Sequence, residues 1–242
     1  MRSLRQPCSH FTLLLSFKSQ GTRKSHSMAE NTAFVSGFFK GIATKASFAN
    51  LVTSLYFVYA AMEQAFDETS EDGVKTMDDR ELRRVPSLEK DMEFFYGSDW
   101  KSKISESPAT RLYVARVKEI AEKEPHLLVA HQYTRYLGDL FGGQMMGGMA
   151  VRSLGLESKQ GVSFYNFEDI SNKSDFISAW YKRLNALDLT EEERQAVVDE
   201  ANLVFDLNIG IFEELGGSPL RAMFLLAVNT LKMKLGLATS AR

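Results

Sequence analysis

The sequence predicts an all-α, single-domain fold of roughly eight helices. Three observations carry this. Apolar residues recur at three- and four-residue steps in several long windows, the five prolines leave wide intervals without a helix breaker, and no stretch alternates as a half-buried strand would. With 242 residues, 44% of them apolar, the chain can bury a sizeable core.

The elements follow in chain order. Arg2, Arg5, Lys18, Arg23 and Lys24 precede the first acidic residue, Glu30, among several serines. This suits an organelle transit segment or a plain basic arm, so residues 1–18 are set apart from a domain over 19–242. In SFANLVTSLYFVYAAMEQAF, residues 47–66, Phe48, Leu51, Leu55, Val58, Tyr59 and Met62 line one helix face. The polar stretch at 67–87 reads as an exposed connection, followed by a short helix from about 88 to 96 that Gly97 and Ser98 close. Ser107-Pro108 is a helix start, continued by Tyr113, Val117 and Ile120 and interrupted at Pro125. Apolar and small positions then run from 126 to 154 and include GDLFGGQMMGGMA, whose glycines are costly in a helix. Thr190 and Glu193 form a capping box for a helix through Leu215 that Gly216-Gly217 stops, and Pro219 opens a last helix through Leu235.

Composition excludes several function classes. The 29 basic and 31 acidic residues leave a net charge of −2, without the bulk positive charge of a nucleic-acid binder. The single cysteine, Cys8, excludes an intrachain disulfide and any CxxC motif and points to a reducing compartment. No apolar run approaches the ~18–20 residues that span a bilayer, so a soluble chain is expected. No glutamate stands three residues before a histidine, as a carboxylate-bridged di-iron bundle requires, and GxSxG is absent.

Some residues are not explained by helix packing. Asn208 falls on an apolar step between Val204 and Ile211, and Asp139 lies one turn beyond Arg135, either as a surface pair or as a buried group in need of partners. His26 has Glu30 four residues on, the spacing of a metal ligand supported by a carboxylate, though an exposed histidine would look the same. The glycines admit a lipid-facing GxxxG pair, close helix packing, or a flat ligand lying against the backbone; Arg135, Asp139 and Gln144 argue against lipid.

LLVAHQYTRYLGDLFGGQ at 127–144 resembles the signature of the haem (heme) oxygenases, and KSHSMAEN at 24–31 resembles their proximal-histidine segment. The likeness extends through NLVTSLYFVYAAMEQ, SLEKDMEFFYGSDW and DEANLVFDLNIGIFEEL and covers roughly 21 to 216. SHSMAEN and FFYGSDW are most similar to the soluble cyanobacterial and plastid branch, and the chain, ending at Arg242, is expected to lack the anchor of microsomal members.

The resemblance implies a helical fold holding haem b, as both substrate and cofactor, between a proximal and a kinked distal helix. His26 would be the axial ligand of the haem iron, with Glu30 behind it. Gly138 and Gly142 would lie over the distal face of haem, Asp139 would hold a water there, and Tyr59, Arg135, Thr134 and Asn208 would surround it as a polar network. Phe205 would be an aromatic wall of the pocket, while Arg23, Lys18 and Tyr133 would stand on the propionate side. The implied reaction opens haem at the α-meso carbon to biliverdin IXα, CO and ferrous iron, with O2 and electrons from reduced ferredoxin. The implied setting is a monomer in the plastid stroma, or the cytoplasm of a prokaryote, with ferredoxin and a bilin reductase as partners and no nucleic acid or membrane.

The sequence departs from the family in places. Phe141 replaces a small serine, and Ile177 and Tyr181 stand where a Lys and an Arg normally meet the haem carboxylates, with Lys182 and Arg183 adjacent as substitutes. The N-terminal basic position is Ser19, next to Lys18, and Gly147 and Gly148 read as added flexibility. These departures leave two further readings, a haem- or bilin-binding paralogue without turnover and a scaffold that retains the fold.

Overall fold

A computed structural model describes Thr32, Val35, residues 44–156 and residues 160–216. Among these residues the fold is all-α. The first long helix, α1 (Lys45–Glu68), starts at a capping box in which the Thr44 and Ser47 side chains satisfy each other's backbone N–H. It buries the face that periodicity predicts, including Phe48, Leu51, Leu55, Val58, Tyr59 and Met62.

The stretch expected to be an exposed connection is not one. It folds as α2 (Asp72–Met77), a 3-10 turn (Arg80–Leu82) and the start of α3 (Val85–Tyr96). Val74, Met77, Leu82 and Arg84 are buried there. Six residues are too few to display a helical period, and the two apolar anchors of α2 are lost among charges. Gly97, at φ 85°, ends α3 in a conformation that other residues rarely adopt.

Helix α4 (Pro108–Lys123) begins at Ser107, whose hydroxyl accepts from the Thr110 backbone N–H. The predicted 126–154 helix is divided: α5 (Leu128–His131), a π-helical segment over Gln132–Leu137, and α6 (Gly138–Leu154). A short turn at Ser163–Tyr165 and α7 (Lys173–Ala186) follow, the latter unannounced by any strong period. Helix α8 (Glu191–Leu215) starts at the predicted Thr190/Glu193 capping box. The segment 1–18, its boundary with 19–242 and the expected helix from Pro219 to Leu235 lie outside the described residues.

Helix α1 forms the centre, packed against α3 and α4, while α8 crosses α4, α5 and α1. The 163–165 turn touches both α3 and α6, and α7 rests on α2, where Trp180 Nε1 donates to the Met77 carbonyl. One continuous core runs through these elements.

Candidate functional site

The π-helical segment is where the site begins. Its wider turn interrupts the α-helical register just ahead of Gly138, a device often found at functional sites. The irregularity therefore precedes the glycines, which have ordinary right-handed helical geometry at Gly138. The segment buries Gln132, Arg135, Tyr136 and Leu137.

Four polar residues expected at the site meet here. The Tyr59 hydroxyl, from the middle of α1, donates to Asp139 Oδ2. Arg135 places Nη2 3.9 Å from the same oxygen and donates through Nη1 to Asn208 Oδ1 of α8 at 2.8 Å. The Arg135 guanidinium also lies 5.6 Å from the Tyr59 ring centre. Asp139 and Arg135 are thus not a surface pair: Arg135 is 9% exposed, and the carboxylate's direct partner is the phenol.

Burial shapes the charges. It pushes the Asp139 carboxyl above the usual carboxylate value, while Arg135, the Tyr59 hydroxyl and Arg84 pull it back. Burial likewise pushes the Tyr59 phenol far up, so it stays a donor. Arg135 remains a cation, because the oxygens of Tyr59 and Asp139 outweigh the burial that would neutralise it.

Thr134 sits in the π-helical segment with a buried Oγ1 that has no partner among the described residues, as does Arg135 Nε. Tyr133 is half-buried, its ring 6.4 Å from Trp180, and burial with Tyr181 nearby pushes its phenol up to about 12. Phe205 is partly buried on α8, one turn before Asn208. His26, Glu30, Arg23 and Lys18 lie outside the described residues, as does Ser19.

The glycines of α6 separate into two sets. At Gly138 and Gly142 an added Cβ would meet nothing within 4 Å. These two share a face with Phe141 and Met145, which are 60% and 59% exposed. At Gly143 and Gly147 an added Cβ would come within 3.0 Å of Tyr165. Gly147 is therefore a packing position, which corrects its reading as added flexibility. Gly148 has only an Arg152 nitrogen, at 3.7 Å, near its missing Cβ.

Of the two substitutes expected on α7, one is committed elsewhere. Arg183 is bound to Asp79, a contact that fastens α7 to the loop after α2, so its charge is already engaged. Lys182 is exposed, and Ile177 is buried in the core at 7% exposure.

Three residues near the site were missed by the sequence reading. Glu63 accepts from the backbone N–H of Arg84 at 2.6 Å and of Val85 at 3.1 Å, and from the Tyr136 hydroxyl at 3.4 Å. It stands four residues after Tyr59, on the same face of α1, and that spacing could have found it. Arg84 and Asp91 hold the 163–166 turn through its backbone, which no sequence pattern displays.

Comparison with known proteins gives the family. The family model described as "Heme oxygenase" matches residues 14–214. Heme oxygenase 1 of Nostoc sp. strain PCC 7120 is 42% identical over 215 residues, covering 88% of this chain and 90% of that protein. The heme oxygenase of Pyropia yezoensis is 43% identical over 214 residues, with 88% and 90% covered. The crystal structure of heme oxygenase-1 from the cyanobacterium Synechocystis sp. PCC6803 in complex with heme superposes with a TM-score of 0.82 at 40% identity, covering 91% of this chain and 99% of that one. The chain belongs to the haem oxygenase family, in its cyanobacterial and plastid branch.

Proposed function

We propose that this protein binds haem b and opens it at the α-meso carbon, releasing biliverdin IXα, CO and ferrous iron, with O2 and electrons from reduced ferredoxin. The observation that carries the reading is the Tyr59–Asp139–Arg135–Asn208 chain placed beside the Gly138/Gly142 face. Two side-chain-free positions in succession on an exposed helix face suit a flat macrocycle, because a Cβ at either would occupy the space the ring needs. The buried Thr134 Oγ1 and Arg135 Nε, free of partners among the described residues, suit ordered water at the polar end of that face. The residues present therefore fit the group.

When bound, haem supplies the iron that activates dioxygen and the carbon that is oxidised. The chain's own residues do the rest. His26 would hold the haem iron through one ring nitrogen, and Glu30 would hold its other ring nitrogen. Asp139 would hold a water as a weak proton donor, with Tyr59 donating to its carboxylate and Arg135, braced by Asn208, fixing its charge. Thr134 would order a further water, and Phe205 would close the pocket wall. Arg23, Lys18 and Tyr133 would meet the propionates, since Arg183 is committed to Asp79. In the cell the reading is a plastid-stroma monomer, preceded by a basic segment over 1–18, that takes electrons from ferredoxin and passes its bilin product to a reductase. Among the described residues no helix is long and apolar enough to cross a membrane.

The test is spectral. Adding haem to the protein is expected to give a Soret band of histidine-ligated ferric haem, and aerobic reduction with ferredoxin or ascorbate the absorbance of biliverdin. His26→Ala is expected to lose the histidine-type signature, and an unchanged spectrum would sink that assignment. Haem binding without biliverdin would select the non-turnover paralogue instead.

A further inference from the structure

The turn between Ser163 and Asn166 is held by two buried charges that do not pair with each other. Asp91 of α3, fully buried, accepts from the backbone N–H of Ser163 at 2.7 Å and of Phe164 at 2.8 Å, one bond to each carboxylate oxygen. Arg84, 4% exposed at the start of α3, donates to the backbone carbonyls of Asn166 at 2.8 Å and Phe164 at 3.4 Å. Its other donors hold Leu82 and Glu81 carbonyls at 2.9 and 3.1 Å, and its plane covers the Phe167 ring at 3.8 Å. At the entry to the turn, Gly161 has φ +80°, and a Cβ there would lie 2.6 Å from the Phe94 ring of α3.

The opposite side of this turn carries the site. The Phe164 ring meets Tyr59 edge-on at 5.2 Å. Tyr165 fills the hollows at Gly143 and Gly147, where no Cβ fits without displacing the ring, and Gly143 lies one helical turn beyond Asp139. The turn thus touches both the Tyr59 ring and the face of α6 next to Asp139. Neutral side chains could cap a turn, whereas burying a carboxylate and a guanidinium costs desolvation that only stronger, shorter bonds offset.

We propose that Asp91 and Arg84 are positioning residues: they fix the 163–166 turn as a rest beneath α6, and the height of that rest sets the Tyr59–Asp139 hydrogen bond. Their importance for the reaction rests on the function proposed above, but their effect on Asp139 does not require haem. The groups that face the Asp139 carboxylate are Tyr59, Arg135 and Arg84, with Tyr165 and the buried Tyr113 of α4 nearby.

The full-length, haem-free protein, labelled with 13C at aspartate carboxyls, is titrated by NMR as wild type, Asp91→Asn and Arg84→Lys. Both variants are expected to keep their helical circular dichroism and to raise the Asp139 midpoint by about one pH unit, the size of a weakened charge-assisted hydrogen bond. Gly147→Ala is expected to raise it too, and Gly147→Ala with Tyr165→Leu to bring it back. That pair carries the test if Asp91→Asn does not fold. Val197→Ala, in the core of α8, is the comparator for general loosening and is expected to leave the midpoint in place. The proposal is overturned by an unmoved midpoint in Asp91→Asn and Arg84→Lys while the Ser163 and Phe164 amides exchange faster, or by an equal shift in Val197→Ala. Haem titration of the same samples is scored separately, so failure of wild type to bind haem would overturn the proposed function and not the Asp139 result.

Discussion

At the scale of single residues, the Tyr59 hydroxyl has one direct task, a bond to a carboxylate whose burial favours its neutral form. In the window between the ordinary carboxylate value and the raised one, the folded chain binds more protons at Asp139 than the unfolded chain. Stability from this group is therefore fully present below that window and declines as pH rises through it. Tyr59→Phe keeps the ring contacts with Tyr136 and Phe164 but removes the donor. It is expected to raise the Asp139 midpoint by about one unit, read by carboxyl NMR, which is about 1.4 kcal/mol lost from the ionised state relative to the neutral one. An unmoved midpoint would remove the phenol from the network. Residues of this kind were legible in the sequence because they are polar groups on apolar steps: Asp139 and Asn208 both stand where core is due. Arg84 and Asp91 were not, since each lies in a charged local text, RELRRV and LEKDME, and their partners are backbone groups identical in every residue type.

At the scale of elements, α6 shows why a glycine count is a poor guide to a helix. Gly147 and Gly148 are neighbours in sequence with opposite surroundings, one pressed on Tyr165 and the other near only a long, movable arginine. Gly148→Ala is expected to stabilise the protein by up to about 1 kcal/mol through helix propensity. Gly147→Ala is expected to destabilise it by roughly 1–3 kcal/mol, because the methyl meets the Cβ and ring of Tyr165 close to their backbone, where they cannot swing aside. Urea unfolding of the two variants checks the contrast, and equal effects would contradict it. Long helices were legible here: α1, α4 and α8 carry sustained apolar faces with capping or proline signals. The π-helical segment was hidden because an extra residue per turn leaves composition untouched, and it disturbs only the phase of a pattern that glycines already blur.

At the scale of the whole molecule, the order of helices was legible, while the charges that fasten them together were scattered along the chain. Arg116 of α4, His131 of α5 and Glu200 of α8 lie far apart in sequence, yet Glu200 accepts from Arg116 at 2.6 Å and bonds His131 Nε2 at 3.1 Å. Glu200 and His131 are almost completely buried, so three helices close around one carboxylate. Burial alone would raise that carboxyl, but the bonds from His131 and Arg116 outweigh it and hold Glu200 below its ordinary value of 4.5. The unfolded chain therefore takes up this proton at higher pH than the folded one. The cluster's stabilisation is present above about 4.5 and is lost as pH falls through the folded value. Glu200→Gln is expected to cost roughly 1–3 kcal/mol at neutral pH, because it removes the buried charge that Arg116 and His131 share and leaves Arg116 with Glu119, at 3.0 Å, as its remaining charged partner. The same variant is expected to lose less stability than wild type between neutral pH and about pH 4, because the proton that drives that part of acid unfolding has no carboxylate to bind. Urea midpoints at the two pH values measure both effects. An acid loss as steep as in wild type would show that the helices are joined by packing alone and that the buried carboxylate carries none of the pH dependence.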